Sequence, residues 1–195
     1  MKVEVREEPA SSLAELARIP ISFDVRSVFD VSGPDETGAF VLTERGLASP
    51  WTKDYDADSG EGPTRWASRF DLSNWGFLAA RVDGRMVGGA VVAFDTPGVE
   101  MLEGRRDLAV LWDLRVVPEA RGQGAGAALF RAAEEWARAR GCTELKIETQ
   151  NINVPACRFY ARQGCVLRAI DPTAYPQLPD EIQLLWYKDL GDPRC

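Results

Sequence analysis

The rhythm of apolar and polar positions is loose up to residue 74 and regular from Trp75 onward. Residues 2–6 alternate, which predicts a short strand. Ser11 and Ser12 stand where a cap would start a helix running to about Ala17, and Pro20 would end it. Residues 22–31 are mixed, with Phe23, Val28 and Phe29 as apolar anchors, and 40–43 reads as another short strand. An acidic stretch at 54–61 carries Asp54, Asp56, Asp58 and Glu61 and closes on Gly60, Gly62 and Pro63, the composition of a loop.

Beyond Trp75 the grammar is plain. Two apolar runs, 76–82 and 85–94, are separated by Asp83-Gly84. A hairpin turn of this kind needs positive φ, and Asp-Gly supplies it. A longer strand is predicted at 108–117. Leu129, Ala132, Ala133, Trp136 and Ala137 then recur at helical spacing, so 125–140 reads as an amphipathic helix closed by Gly141. A strand follows at 144–149. A short helix at 154–163 has Pro155 in its first turn and Gly164 after its end. Strands at 166–170 and 182–187 complete the order. The strand–helix–strand connections imply parallel pairing within a mixed sheet.

Composition narrows the chemistry. With 45% apolar and 27% charged residues in 195, the chain can bury one sizeable core. The net charge of −7 repels phosphate backbones, which argues against nucleic acid and suits a cationic small molecule. No apolar run reaches the roughly 18–20 residues of a membrane span, and residues 1–8 are charged and alternating, unlike a signal peptide. The expectation is therefore a cytoplasmic protein with no membrane partner. The four cysteines, Cys142, Cys157, Cys165 and Cys195, form no Cys-x-x-Cys pair, and no metal is expected. There is no histidine, which removes Ser-His-Asp and Cys-His catalysis. Proton transfer must use carboxylates, tyrosine, lysine, cysteine, backbone groups or water.

The main chemical signal is Arg121-Gly122-Gln123-Gly124-Ala125-Gly126, between a predicted strand and a predicted helix. Glycines let backbone approach a ligand, and the helix N-terminus offers unpaired N–H groups and the positive end of its dipole. Arg121 adds a fork suited to phosphate oxygens, so the loop reads as an anion site. No Lys-Ser or Lys-Thr follows the last glycine, which excludes a P-loop, and a preceding meander is unlike a Rossmann opening.

With Leu114-Arg115-Val116-Val117-Pro118 before it, this loop resembles motif A of the GNAT acetyltransferases. The run Asn153-x-x-Ala156-x-x-Phe159-Tyr160-x-x-x-Gly164 resembles motif B, with Cys165 where the family usually has an aromatic. The resemblance covers roughly residues 76–187. It implies an α/β fold with a central mixed, mostly antiparallel sheet of six or seven strands, a splayed parallel pair and about four helices. It also implies one domain over 1–195, with 1–74 as an acceptor-side segment and 75–190 as the acetyl-CoA-binding core; a homodimer is admitted.

By the same resemblance, acetyl-CoA is the co-substrate. Its pyrophosphate would lie on Arg121, Gly122, Gln123, Gly124, Ala125 and Gly126. Its pantetheine would lie along Leu114, Arg115, Val116 and Val117, with Asn153 and Ala156 nearby. Tyr160 would be both a contact and the general acid for the leaving thiolate.

An alkyl amine is more than about 99.9% protonated at pH 7, so amide formation needs a base. Asp113 and Glu148 interrupt apolar runs, where a charge is costly unless paired or useful, and either fits the role. An ion pair with Arg115 or Lys146 is the structural alternative. Period-two alternation sets Asp113 opposite in facing to Trp112 and Leu114.

Ser27-Val28-Phe29-Asp30-Val31, the run from Glu148 to Tyr160, Ile170-Asp171, Tyr175 and Leu185-Trp186-Tyr187 resemble the streptothricin (nourseothricin) acetyltransferases. That implies acetylation of the β-lysine amine of a cationic antibiotic. Other acceptors such as a polyamine, an amino acid or a protein lysine are the alternatives, as is a non-catalytic acetyl-CoA-binding module. The acid and the two carboxylates favour an enzyme.

Overall fold

The computed structural model describes residues 2–57 and 62–191. Asp58, Glu61 and Cys195 lie outside them. The chain divides into two compact units: one of Met1–Ile21, Asp54–Leu145 and Asp189–Cys195, the other of Ser22–Lys53 and Lys146–Lys188.

In the first unit, strands β1 (Glu4–Glu7), β4 (Gly76–Val82), β5 (Arg85–Phe94) and β6 (Leu108–Val116) are neighbours in that order. All three pairings are antiparallel. The β4–β5 turn forms as its sequence demands, with Asp83 at φ 50° and Gly84 at φ 80°. β4 and β5 are almost wholly buried, the mark of strands covered on both faces. Helix α2 (Ala125–Arg138) packs on β4, β5 and β6 through Leu129, Phe130, Ala133, Trp136 and Ala137. β5 passes so close to β6 that a Cβ at Gly88 would lie 2.7 Å from the Arg115 carbonyl oxygen.

β6 is not the uninterrupted strand of the sequence reading. Val91 pairs with Asp113 but Val92 pairs with Leu111, so Trp112 is an extra, bulged residue. Adjacent partners on β5 face opposite ways, and Leu111 and Asp113, two residues apart, therefore fall on opposite faces. Trp112 joins an aromatic cluster with Phe70 and Trp75, at centroid distances of 5.3 and 5.2 Å.

The N-terminal helix also differs from its prediction. A 3-10 turn at Ala10–Ser12 winds directly into α1 (Leu13–Leu16). Ser12 is already helical (φ −65°, ψ −17°) and makes no side-chain cap bond, because a capping residue must be extended.

In the second unit, β2 (Phe23–Ser32) and β3 (Val41–Lys53) form a separate antiparallel pair. The strand expected at 40–43 thus runs ten residues further. Its register jumps between Val25–Trp51 and Ser27–Gly46, so residues 47–50, including Pro50, sit in a bulge rather than ending the strand. β7 (Glu144–Gln150) runs across the boundary between units. After it come α3 (Val154–Arg162), β8 (Val166–Asp171) and β9 (Gln183–Asp189), with β9 between β7 and β8.

Val25, Val28 and Ile152 form a small core with Phe23 and Leu47. Asn151 joins its parts. Its amide donates to Phe29 O at 3.2 Å and its Oδ1 accepts from Ile182 N at 2.8 Å. No helix among the described residues is long and apolar enough to cross a membrane.

Candidate active site

β6 ends at Val116, and a 3-10 turn, Pro118–Ala120, leads into the glycine loop. Gly122 and Gly124 adopt φ of 73° and 91°, the left-handed region that glycine enters without strain. Gly124 is the N-cap of α2, and no side chain caps the helix there. The first turn carries no acidic residue, so nothing in it offsets the positive end of the dipole. A Cβ at Gly124 would meet nothing within 4 Å. Residues 121–124 are exposed, whereas Ala125 is buried and Gly126 half-buried within the helix. The loop therefore has the open backbone and polarity of an anion cradle.

Arg121 is tied to backbone on its way there. Its Nε donates to Val116 O at 3.0 Å and its Nη2 to Pro20 O at 3.2 Å. Gln123 folds back to donate to Glu119 O at 2.6 Å.

At the end of β6, Leu114 is half-buried while Val116 and Val117 are buried. Arg115 and Asp113 are locked together. Arg115 Nε and Nη2 reach Asp113 Oδ1 and Oδ2 at 2.9 Å each. Nη1 and Nη2 also reach Asp56 at 2.5 and 3.0 Å, and Nη1 donates to Ile19 O at 3.2 Å. The Arg115 and Asp113 side chains are only 2% and 4% exposed. Burial pushes the Asp113 carboxyl up against the opposing pull of Arg115. Asp56, from the acidic stretch, is thus a partner of Arg115, and Asp54 accepts from Asp56 N at 3.0 Å. Both carboxylates make contacts within the protein.

Glu148 sits in a different setting. On β7 it is half-buried, and Tyr175 OH donates to its Oε1 while Gln183 Nε2 donates to its Oε2 at 2.9 Å. Gln150 Nε2 donates to the Tyr175 oxygen at 2.8 Å and approaches Glu148 Oε1 at 3.4 Å. The donors around Glu148 are all neutral. Tyr175 and Gln183 were not assigned a role from sequence; the solitary aromatic in a polar stretch, Tyr175, was the available signal.

On α3, Asn153 is the N-cap, its Oδ1 accepting from Ala156 N at 3.2 Å. That is the capping role its residue type favours. Tyr160 is buried, and its ring meets Phe159 at 5.1 Å, nearly perpendicular. Phe159 beside it is half-buried. Cys142, Cys157 and Cys165 are buried thiols, and none of the three is in a disulfide. Burial pushes Cys142 and Cys157 up to about 11, so neither is a ready nucleophile. Among the described residues no group of His, Cys, Asp and Glu is placed to hold a metal ion.

The sequence pattern of the Acetyltransferase (GNAT) family matches residues 43–165, more than half the chain. The chain belongs to the GNAT acetyltransferase family. It is 34% identical over 192 residues to a streptothricin acetyltransferase of Escherichia coli, covering 96% of this chain and 95% of that protein. The crystal structure of nourseothricin acetyltransferase is similar with a TM-score of 0.74 and 25% identity, over 98% of this chain and all of that one. A Bacillus anthracis structure solved in complex with acetyl coenzyme A shares the fold with a TM-score of 0.77 and 22% identity, over 96% and 99% of the two chains. The fold is accordingly the mixed α/β fold of the family, and the protein is an N-acetyltransferase.

Proposed function

We propose that this enzyme transfers an acetyl group from acetyl-CoA to a primary amine of a small cationic acceptor, the β-lysine amine of a streptothricin-type antibiotic. The observation that carries the reading is the 34% identity to a streptothricin acetyltransferase over 96% of the chain. Such coverage takes in the 1–74 segment proposed for the acceptor side as well as the 75–190 core proposed for the cofactor. The net charge of −7 favours encounter with a polycation.

Acetyl-CoA supplies an activated thioester, and the chain supplies the rest. The Arg121–Gly126 backbone, with its uncapped helix start, fits a pyrophosphate. Leu114 to Val117, Asn153 and Ala156 are assigned to the pantetheine arm. Tyr160 is assigned the protonation of the leaving thiolate. Of the two carboxylates, Glu148 suits the amine better. Asp113 is committed through both oxygens to Arg115, whereas Glu148 is half-buried among neutral donors.

Expression in a sensitive bacterium tests the acceptor. The wild type should raise the inhibitory concentration of streptothricin, and Tyr160→Phe should remove most of that protection. An expressed, acetyl-CoA-binding protein that confers none would reject the antibiotic and leave another amine as acceptor.

A further inference from the structure

The Glu148 cluster has a direction. A phenol oxygen has one proton to give and lone pairs to accept with. Gln150 fills the accepting side of Tyr175 at 2.8 Å, which leaves the Tyr175 proton directed at Glu148. Gln183 meets the other carboxylate oxygen at 2.9 Å. Oε1 thus meets two neutral donors and Oε2 one, which leaves lone-pair capacity on Oε2. The carboxylate is aimed but not neutralised.

Three other carboxylates with little exposure are handled differently. Glu8, Asp113 and Glu181 all lie against Arg or Lys. A half-buried anion without a cation is costly unless something cationic arrives.

The scaffold under the cluster is unusually well tied. Tyr175 lies in the connection from β8 to β9, and Gln183 opens β9. Glu181 in that connection pairs with Lys53 at 2.9 Å, both side chains under 10% exposed. Ile182 is bonded to Asn151 through both its N–H and its carbonyl. Such anchoring fixes a carboxylate's orientation to the tolerance that substrate positioning needs.

We infer that Tyr175 and Gln183 are positioning residues that hold Glu148 as the anchor for the ammonium group of the acceptor. This rests on the amine-acetyltransferase reading. The ligand class is a primary aliphatic ammonium, and the recognition is an ion pair to a carboxylate whose two oxygens are preset by neutral donors. Tyr175 itself touches Glu148 and need not touch substrate.

The test is steady-state kinetics by thiol release, with the acceptor and acetyl-CoA varied separately, on wild type, Tyr175→Phe, Gln183→Ala, Glu148→Gln and the Tyr175→Phe/Glu148→Gln double variant. Streptothricin is the acceptor probe, with spermidine as a second cation. Tyr175→Phe should raise the acceptor KM about five- to tenfold and leave the acetyl-CoA KM within twofold. In the Glu148→Gln background the same change should add less than twofold, since partners in one network are not additive. Gln183→Ala should repeat the KM pattern, which keeps the test valid if one variant folds poorly by its melting curve. An unchanged acceptor KM in both single variants, or an equal rise in the presence and absence of Glu148, overturns the inference. If the wild type acetylates neither amine while binding acetyl-CoA, the reading beneath it fails instead.

Discussion

Arg115 holds Asp113 by two parallel hydrogen bonds of 2.9 Å, in a pair whose side chains are all but sealed from solvent. Two candidate bases of equal standing in the sequence thereby separate. A charge in that position is compensated by its neighbour. Glu148 retains both partial exposure and unfilled lone pairs.

Removing the Asp113 charge should therefore act on stability first. Asp113→Asn leaves buried Arg115 with Asp56 as its remaining carboxylate. Breaking a buried pair costs up to about 3–5 kcal/mol, and the surviving partner should hold the loss to about 3 kcal/mol or less. Urea unfolding measures it. A variant as stable as wild type but reduced a hundredfold in kcat would make Asp113 the base after all.

The anion cradle makes a separate prediction. Gly124→Val imposes a β-branched side chain at φ 91° in open space, so the neighbouring protein is not crowded while the backbone approach is blocked. Acetyl-CoA affinity by titration calorimetry should fall at least tenfold in a variant that retains its fold. Equal affinity in a folded variant would move the pyrophosphate elsewhere.

Tyr160 is buried on α3 beside Phe159. Tyr160→Phe keeps the ring and deletes the hydroxyl. General acid catalysis is worth about 10²–10⁴-fold, so kcat should drop by that order while acetyl-CoA affinity stays nearly constant. A fall below about threefold, with chemistry rate-limiting, removes the role.

The buried thiols give a chemical check on the core. Because burial raises Cys142 and Cys157 to about 11, the reactive thiolate is scarce at pH 8. Iodoacetamide should label neither in the native protein within an hour and both in denaturant, as read by peptide mass mapping. Rapid native labelling of Cys157 would contradict its packing against Thr149.

Much of the fold was legible because its signals are local. Asp83-Gly84, the glycines at 122 and 124, and the apolar stripe of α2 each act within a few residues of themselves. β3 was read only at its start, since Gly46 and Pro50 look like breakers; Gly46 pairs with Ser27, and a bulge in an edge strand accommodates Pro50. The Trp112 bulge is likewise invisible in one strand alone, because it exists only relative to β5.

The site was half legible for the same reason. Residue type and spacing singled out Asp113 and Glu148. Their difference depends on partners far along the chain, Asp56 for Arg115 and Tyr175 and Gln183 for Glu148. No local pattern encodes those meetings.

Acetyl transfer to a streptothricin-type amine can be read in a single assay. Purified protein is mixed with acetyl-CoA and streptothricin, free thiol is followed, and the product is analysed by mass spectrometry. Thiol release should depend on the antibiotic, with one acetyl group added on the β-lysine amine. Thiol release with another amine but none with streptothricin would contradict it.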